Sequence, residues 1–175
     1  MNKLICFSAV LIGSALQAFG DSPAQHGPLS DHLIGKCVLQ GTIGVKETTH
    51  DIDADWVLND GYVRLHEVSR EKDSNGRPVY EAIMFISWDE RSREYSFLIL
   101  DSTSNVGLTN GVIGRAKPET DKIPFLLKIK PNETFHTTFL YDKKSDSWQW
   151  IMDDETDGKI GRFARVTLTR KARDN

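Results

Sequence analysis

The residue that type and spacing single out for chemistry is Arg165. Asp157-Gly158 separates SWQWIMDD (147–154) from RFARVTLTR (162–170). A two-residue turn there sets the pairing of the two runs. Opposing residue numbers then sum to 315, so Met152 faces Phe163, Trp150 faces Arg165 and Trp148 faces Thr167. That face holds two indoles, a thioether and a phenyl ring, and it reads as the interior. A guanidinium beside Trp150 can stack on it for about 0.5–2 kcal/mol. Inside an apolar enclosure it also needs an acceptor, because an unpaired buried charge is costly. A protein carboxylate, water or the acid head of an amphipathic ligand would serve. The alternative is that Arg165 sits at a mouth and reaches solvent along its own stem.

A second group depends on register. With a three-residue Asn59-Asp60-Gly61 loop, Trp56, Leu58, Tyr62, Arg64 and His66 share a face. With a two-residue Asp60-Gly61 turn, Trp56 lines up with Val63 and Leu65, and Tyr62, Arg64 and His66 go to the other side, since a one-residue slip inverts every side chain. A glycine after two turn formers suits the three-residue loop, which makes Tyr62, Arg64 and His66 secondary ligand contacts.

Other chemistry is sparse. Asp51, Asp53 and Asp55 alternate and so share one face, read as a solvated outer surface. Asp153–Gly158 begins like a calcium loop, but position twelve is Ala164 where a bidentate Glu is required, so it reads as a hairpin turn. No metal ligand set or catalytic set is assigned. No phosphate loop, His-x-x-x-His pair or Gly-x-Ser-x-Gly elbow occurs. His50-Asp51 and His66-Glu67 are sequence neighbours, whose side chains point to opposite faces of a strand. Asn132-Glu133-Thr134 matches a glycosylation acceptor.

Period-2 runs bounded by turn residues supply the scaffold that positions these groups. They cover 35–43, 50–58, 62–71, 79–88, 94–100, 112–117, 123–130, 133–141, 147–154 and 162–170. About nine or ten short strands with short connections predict an all-β, antiparallel up-and-down barrel. Closure removes exposed edges. The barrel is expected over 33–171, after a flexible lead-in at 21–32 and before a tail at 172–175.

Residues 1–20 carry Lys3, an apolar run and Ala18-Phe19-Gly20, the pattern of a cleaved secretory signal. The run is too short for a membrane span, which needs roughly 20 residues, and no integral membrane segment is expected after cleavage. Removing the signal leaves Cys37 as the sole cysteine, read as a buried thiol without a disulfide. The 175-residue chain has net charge −3, and the mature part, with 21 basic and 25 acidic residues, has −4. Mild acidity gives no electrostatic reason to bind nucleic acid.

Asp55-Trp-Val-Leu-Asn-Asp-Gly-Tyr62, then a long strand ending Ser87-Trp88-Asp89 with Tyr95 opening the next, resembles a group of secreted bacterial lipocalin-like, calycin-type β-barrel proteins of unknown function. The resemblance spans roughly residues 33–171. It implies a barrel with a possible cavity and brings no catalytic residues.

The expectation is therefore an exported, periplasmic or extracellular, monomeric and non-enzymatic binding protein. It would hold an apolar or amphipathic, acidic small molecule. Trp148, Trp150, Met152 and Phe163 would line the cavity and Arg165 would orient the anion, with Tyr62, Arg64 and His66 as further contacts. Three alternatives stand beside it. One is a barrel hydrolase or isomerase using His66 or His136 with a cross-strand carboxylate. The second is a haem-binding barrel with a histidine aimed at the cavity. The third is a filled barrel that acts by protein contact.

Overall fold

The computed structural model describes residues 26–103 and 113–172. Ten strands follow a short 3-10 turn at Ser30–Leu33. They are β1 Gly35–Ile43, β2 Lys46–Val57, β3 Tyr62–Ser69, β4 Glu81–Asp89, β5 Glu94–Asp101, β6 Ile113–Ala116, β7 Lys122–Lys130, β8 Glu133–Asp142, β9 Ser147–Thr156 and β10 Lys159–Arg170. Each pairs with its sequence neighbours, and β1 pairs with β10, so the antiparallel sheet closes into an up-and-down barrel. No helix among the described residues is long and apolar enough to cross a membrane. The expected signal at 1–20 lies outside the described residues, as do 21–25, 104–112 and 173–175.

Alternation explains the wall. On β2, His50, Ile52 and Ala54 are buried while Asp53 is exposed and Asp51 and Asp55 are half-buried. The three carboxylates each meet a cation on the outer surface: Asp51 meets Arg70 and Lys171, Asp53 meets Lys36, and Asp55 meets Arg64. This is the solvated acidic face expected of their spacing. Cys37 is a buried free thiol on the inner face, and burial raises its pKa.

Packing divides the interior into a solid end and a hollow end. Tyr95, Phe97, Phe125, Phe139 and Trp148 fill the first. Their rings meet edge-on or tilted at 5.0–6.4 Å between centroids. Residues 26–32, expected as a loose lead-in, are packed instead and seal this end. Leu29 N donates to Tyr95 Oη at 2.9 Å, Trp148 Nε1 donates to His32 O at 2.9 Å, and the His26 ring stacks on Trp56 at 3.8 Å. A Cβ on Gly27 would stand 2.4 Å from the Tyr95 ring, so only glycine fits there. Aromatic burial outweighs the entropy of ordering this segment, which its polar composition concealed.

The last hairpin begins as its turn residues dictate. Asp157 and Gly158 have φ of 52° and 73°, the two left-handed positions of a type I′ turn. Arg162 pairs with Asp153, in the expected register. A β-bulge then falls between Arg162 and Ala164, after which Met152 faces Ala164, Trp150 faces Val166 and Trp148 faces Leu168. Phe163 is the extra residue. The bulge inverts everything beyond it on β10, so Arg165 points outward.

Candidate functional site

The hollow end holds a cavity of about 720 Å³, inside the range for small-molecule pockets, about 300–1,000 Å³. Strands β1, β2, β3, β5, β7, β8, β9 and β10 all contribute to its wall. The apolar wall includes Phe97, Leu127, Phe135, Trp150, Met152 and Phe163. Phe163, the bulged residue, is 36% exposed and meets Phe135 edge-on at 5.4 Å. Trp150 Nε1 donates to Thr137 Oγ1 at 2.6 Å and its ring stacks on Phe139 at 4.6 Å, which holds the indole in place.

A polar cluster occupies the β2–β3 side. Alternate residues Lys46, Thr48 and His50 of β2 project inward. Glu67 of β3 pairs with Ile52 and is therefore a diagonal neighbour of His50. His50 Nδ1 lies 2.5 Å from Glu67 Oε1, and His50 Nε2 lies 2.7 Å from Thr48 Oγ1. The two side chains are 5% and 3% exposed. With Glu67 ionised, Nδ1–H donates to it, and Nε2 of the neutral ring accepts from the Thr48 hydroxyl. Tyr80 stacks on His50 at 5.7 Å between centroids. Burial, and then the charges of Glu67 and Asp101, push its phenol far above the ordinary range, so it stays neutral. Lys46 Nζ meets Glu71 Oε2 at 2.5 Å. Asp101 accepts from Thr103 N and Oγ1.

Trp150, Met152 and Phe163 line the cavity. Trp148 is inside the barrel but belongs to the sealed end, tied to His32. Arg165 is not in the cavity. Its side chain is 34% exposed, and its guanidinium donates to Met152 O at 2.7 Å, Ala164 O at 2.6 Å and Asp153 Oδ1 at 2.5 Å. It secures the bulge from outside.

Tyr62, Arg64 and His66 are also outside, because the β2–β3 connection is longer than expected. Val57 pairs with Tyr62 across Leu58-Asn59-Asp60-Gly61, and Trp56 pairs with Val63. Leu58, Asn59 and Asp60 have φ of 53°, 55° and 59°. Tyr62 is exposed, Arg64 makes a bidentate pair with Asp55, and His66 meets Glu81 at 2.7 Å on the surface. His136 meets Glu155 at 2.6 Å, and neither lines the cavity. Both histidines of the enzyme alternative have cross-strand carboxylates, but not in an enclosed site.

His50, Glu67, Thr48 and Tyr80 escaped the sequence reading. Their signal was an ionisable residue at the inward position of an alternating strand, His50-x-Ile52-x-Ala54 and Val63-x-Leu65-x-Glu67. The partner of His50 lies one strand away, and adjacency in sequence points only to Asp51. Among the described residues no group of three His, Cys, Asp or Glu side chains is placed to hold a metal ion. His50 is the histidine lining the cavity, and both of its ring nitrogens are engaged.

No protein-family model matches the chain, and no curated protein matches it. Among solved structures, the chain is similar to Rv2717c from M. tuberculosis, with a TM-score of 0.58 and 12% identity over 85% of this chain and 100% of that one. At that identity the likeness is one of fold.

Proposed function

We propose that the protein is an exported, monomeric, non-enzymatic binding module that holds an amphipathic small molecule in its barrel. The observation that carries the reading is the cavity of about 720 Å³ with an apolar wall and a buried polar cluster on one side. A barrel serving only as a surface for another protein has no use for a void of this size, since each unfilled volume forfeits packing energy. Export rests on the pattern of residues 1–20, and the lipocalin-like resemblance of the Trp56 and Trp88 hairpins implies a barrel with a cavity. Closure of the sheet leaves no edge strand to recruit a second copy. The test is titration of tryptophan emission with a panel of lipophiles, paired with native mass spectrometry of freshly isolated protein. Saturable emission changes at one equivalent support the proposal. A flat response across the panel, with no co-purifying molecule, refutes it.

A second reading draws on one observation. Thr48, His50 and Glu67 stand in the order hydroxyl, imidazole, carboxylate, the connectivity of an activated nucleophile. Turnover of a lipophilic ester that is lost in His50→Gln, with binding retained, would establish it.

A further inference from the structure

The ionisable groups of the lining bear on the charge of the guest. With Arg165 outside, the ionisable groups on the cavity wall, among the described residues, are Lys46, His50, Glu67, Glu71, Tyr80 and Asp101. Three are carboxylates and one is an ammonium, and that ammonium is already committed to Glu71. Tyr80 stays neutral. His50 can offset Glu67 only by taking up a proton, and with the imidazole neutral the carboxylates of the lining outnumber its ammonium. An anionic head group would enter a low-dielectric space against like charge, where repulsion is screened least.

The wall also carries features that favour the opposite sign. Phe97, Phe135, Trp150 and Phe163 line the void, and aromatic faces attract cations. Tyr80 adds a ring beside the buried Glu67–His50 pair. A protonated amine meets a carboxylate with a charge on both partners, whereas an alcohol donates to it with the charge on the acceptor alone. Resting on the binding reading, we infer that the guest is a lipophilic amine, an apolar chain or ring system ending in an ammonium group. Glu67 receives the ammonium and the aromatic wall receives the apolar body.

The experiment compares dodecylamine, dodecanol and dodecanoate, each below its aggregation limit at neutral pH, against the full chain. Tryptophan emission gives the affinities and native mass spectrometry gives the stoichiometry. The amine is expected to bind at least tenfold more tightly than the carboxylate, with the alcohol between them. Glu67→Gln should weaken the amine about tenfold and the alcohol far less. Asp51→Asn, which removes a charge from the outer surface, should change neither. Equal or tighter binding of dodecanoate overturns the inference while leaving the binding reading intact. A preference that Asp51→Asn reduces as much as Glu67→Gln also overturns it, because attraction to overall charge would then explain the result. Failure of all three probes refutes both. The amine–carboxylate comparison on the unaltered protein decides the matter even if Glu67→Gln does not fold.

Discussion

His50 and Glu67, on adjacent strands, form a hydrogen-bonding contact of 2.5 Å with almost no exposure of either side chain. Neither belongs in an apolar interior alone, and each makes the other's burial tolerable. His50→Ala should therefore destabilise the barrel by about 3–5 kcal/mol, because it strands the carboxylate. His50→Leu combined with Glu67→Met should cost much less than the sum of the single changes. Urea unfolding of the four proteins measures this coupling. Additivity within about 0.5 kcal/mol would show that the pair does not act as a unit.

Arg165 is bound to the carbonyls of Met152 and Ala164, the first pair beyond the bulge, and to Asp153, which pairs just before it. Arg165→Ala should leave the affinity of any cavity ligand within twofold of the parent. Stability should fall by about 1–2 kcal/mol through the lost hydrogen bonds. Parallel emission titrations and thermal unfolding separate the two effects. A large loss of affinity would mean that the side chain reaches the interior after all.

The two indoles of β9 have different surroundings, Trp150 in the cavity wall and Trp148 beneath the N-terminal plug. Trp150→Phe should abolish most of the ligand-dependent emission change, and Trp148→Phe should preserve it. Trp148→Phe instead removes the bond to His32 O and should speed amide hydrogen exchange in residues 29–34.

Asp51 is held at a pKa of about 2, against an ordinary 3.8, first by its hydrogen bonds from Arg70 and then by that from Lys171. A depressed carboxyl stabilises the fold at pH values above its unfolded pKa, and that contribution disappears as the pH falls through the folded value. The advantage of the parent over Asp51→Asn should thus be full above about pH 4 and gone near pH 2. Its size should stay below about 1 kcal/mol, because the pair is half in solvent. Acid titrations followed by circular dichroism give both curves, and a constant difference across that window would contradict the assignment.

The barrel was legible because alternation is local: β1 begins and ends at the residues its pattern implies, and Asp157-Gly158 announces its own turn. The position of Arg165 was not, because the bulge at Phe163 answers to curvature and closure with β1. There Gly41, at φ 148°, lets the strands approach so closely that a Cβ would stand 2.3 Å from Arg165 O. The facing of Tyr62, Arg64 and His66 turned on a loop in which Leu58 takes a left-handed conformation, rare for a branched apolar residue. His50 and Glu67 were readable as inward residues one at a time, but their meeting depended on that same loop.

The plug of residues 26–33 closes the barrel at the end away from the void, so guests are expected to enter and leave at the other end. Two molecules cannot pass one another in such a vessel, so an incoming one must wait for the resident to leave. Exchange should then proceed at a rate set by departure alone, unaffected by how much competitor is supplied. Loosening the seal through Tyr95→Phe, which deletes the bond from Leu29 N, would open a back exit and quicken the turnover of occupants without altering what the chamber prefers.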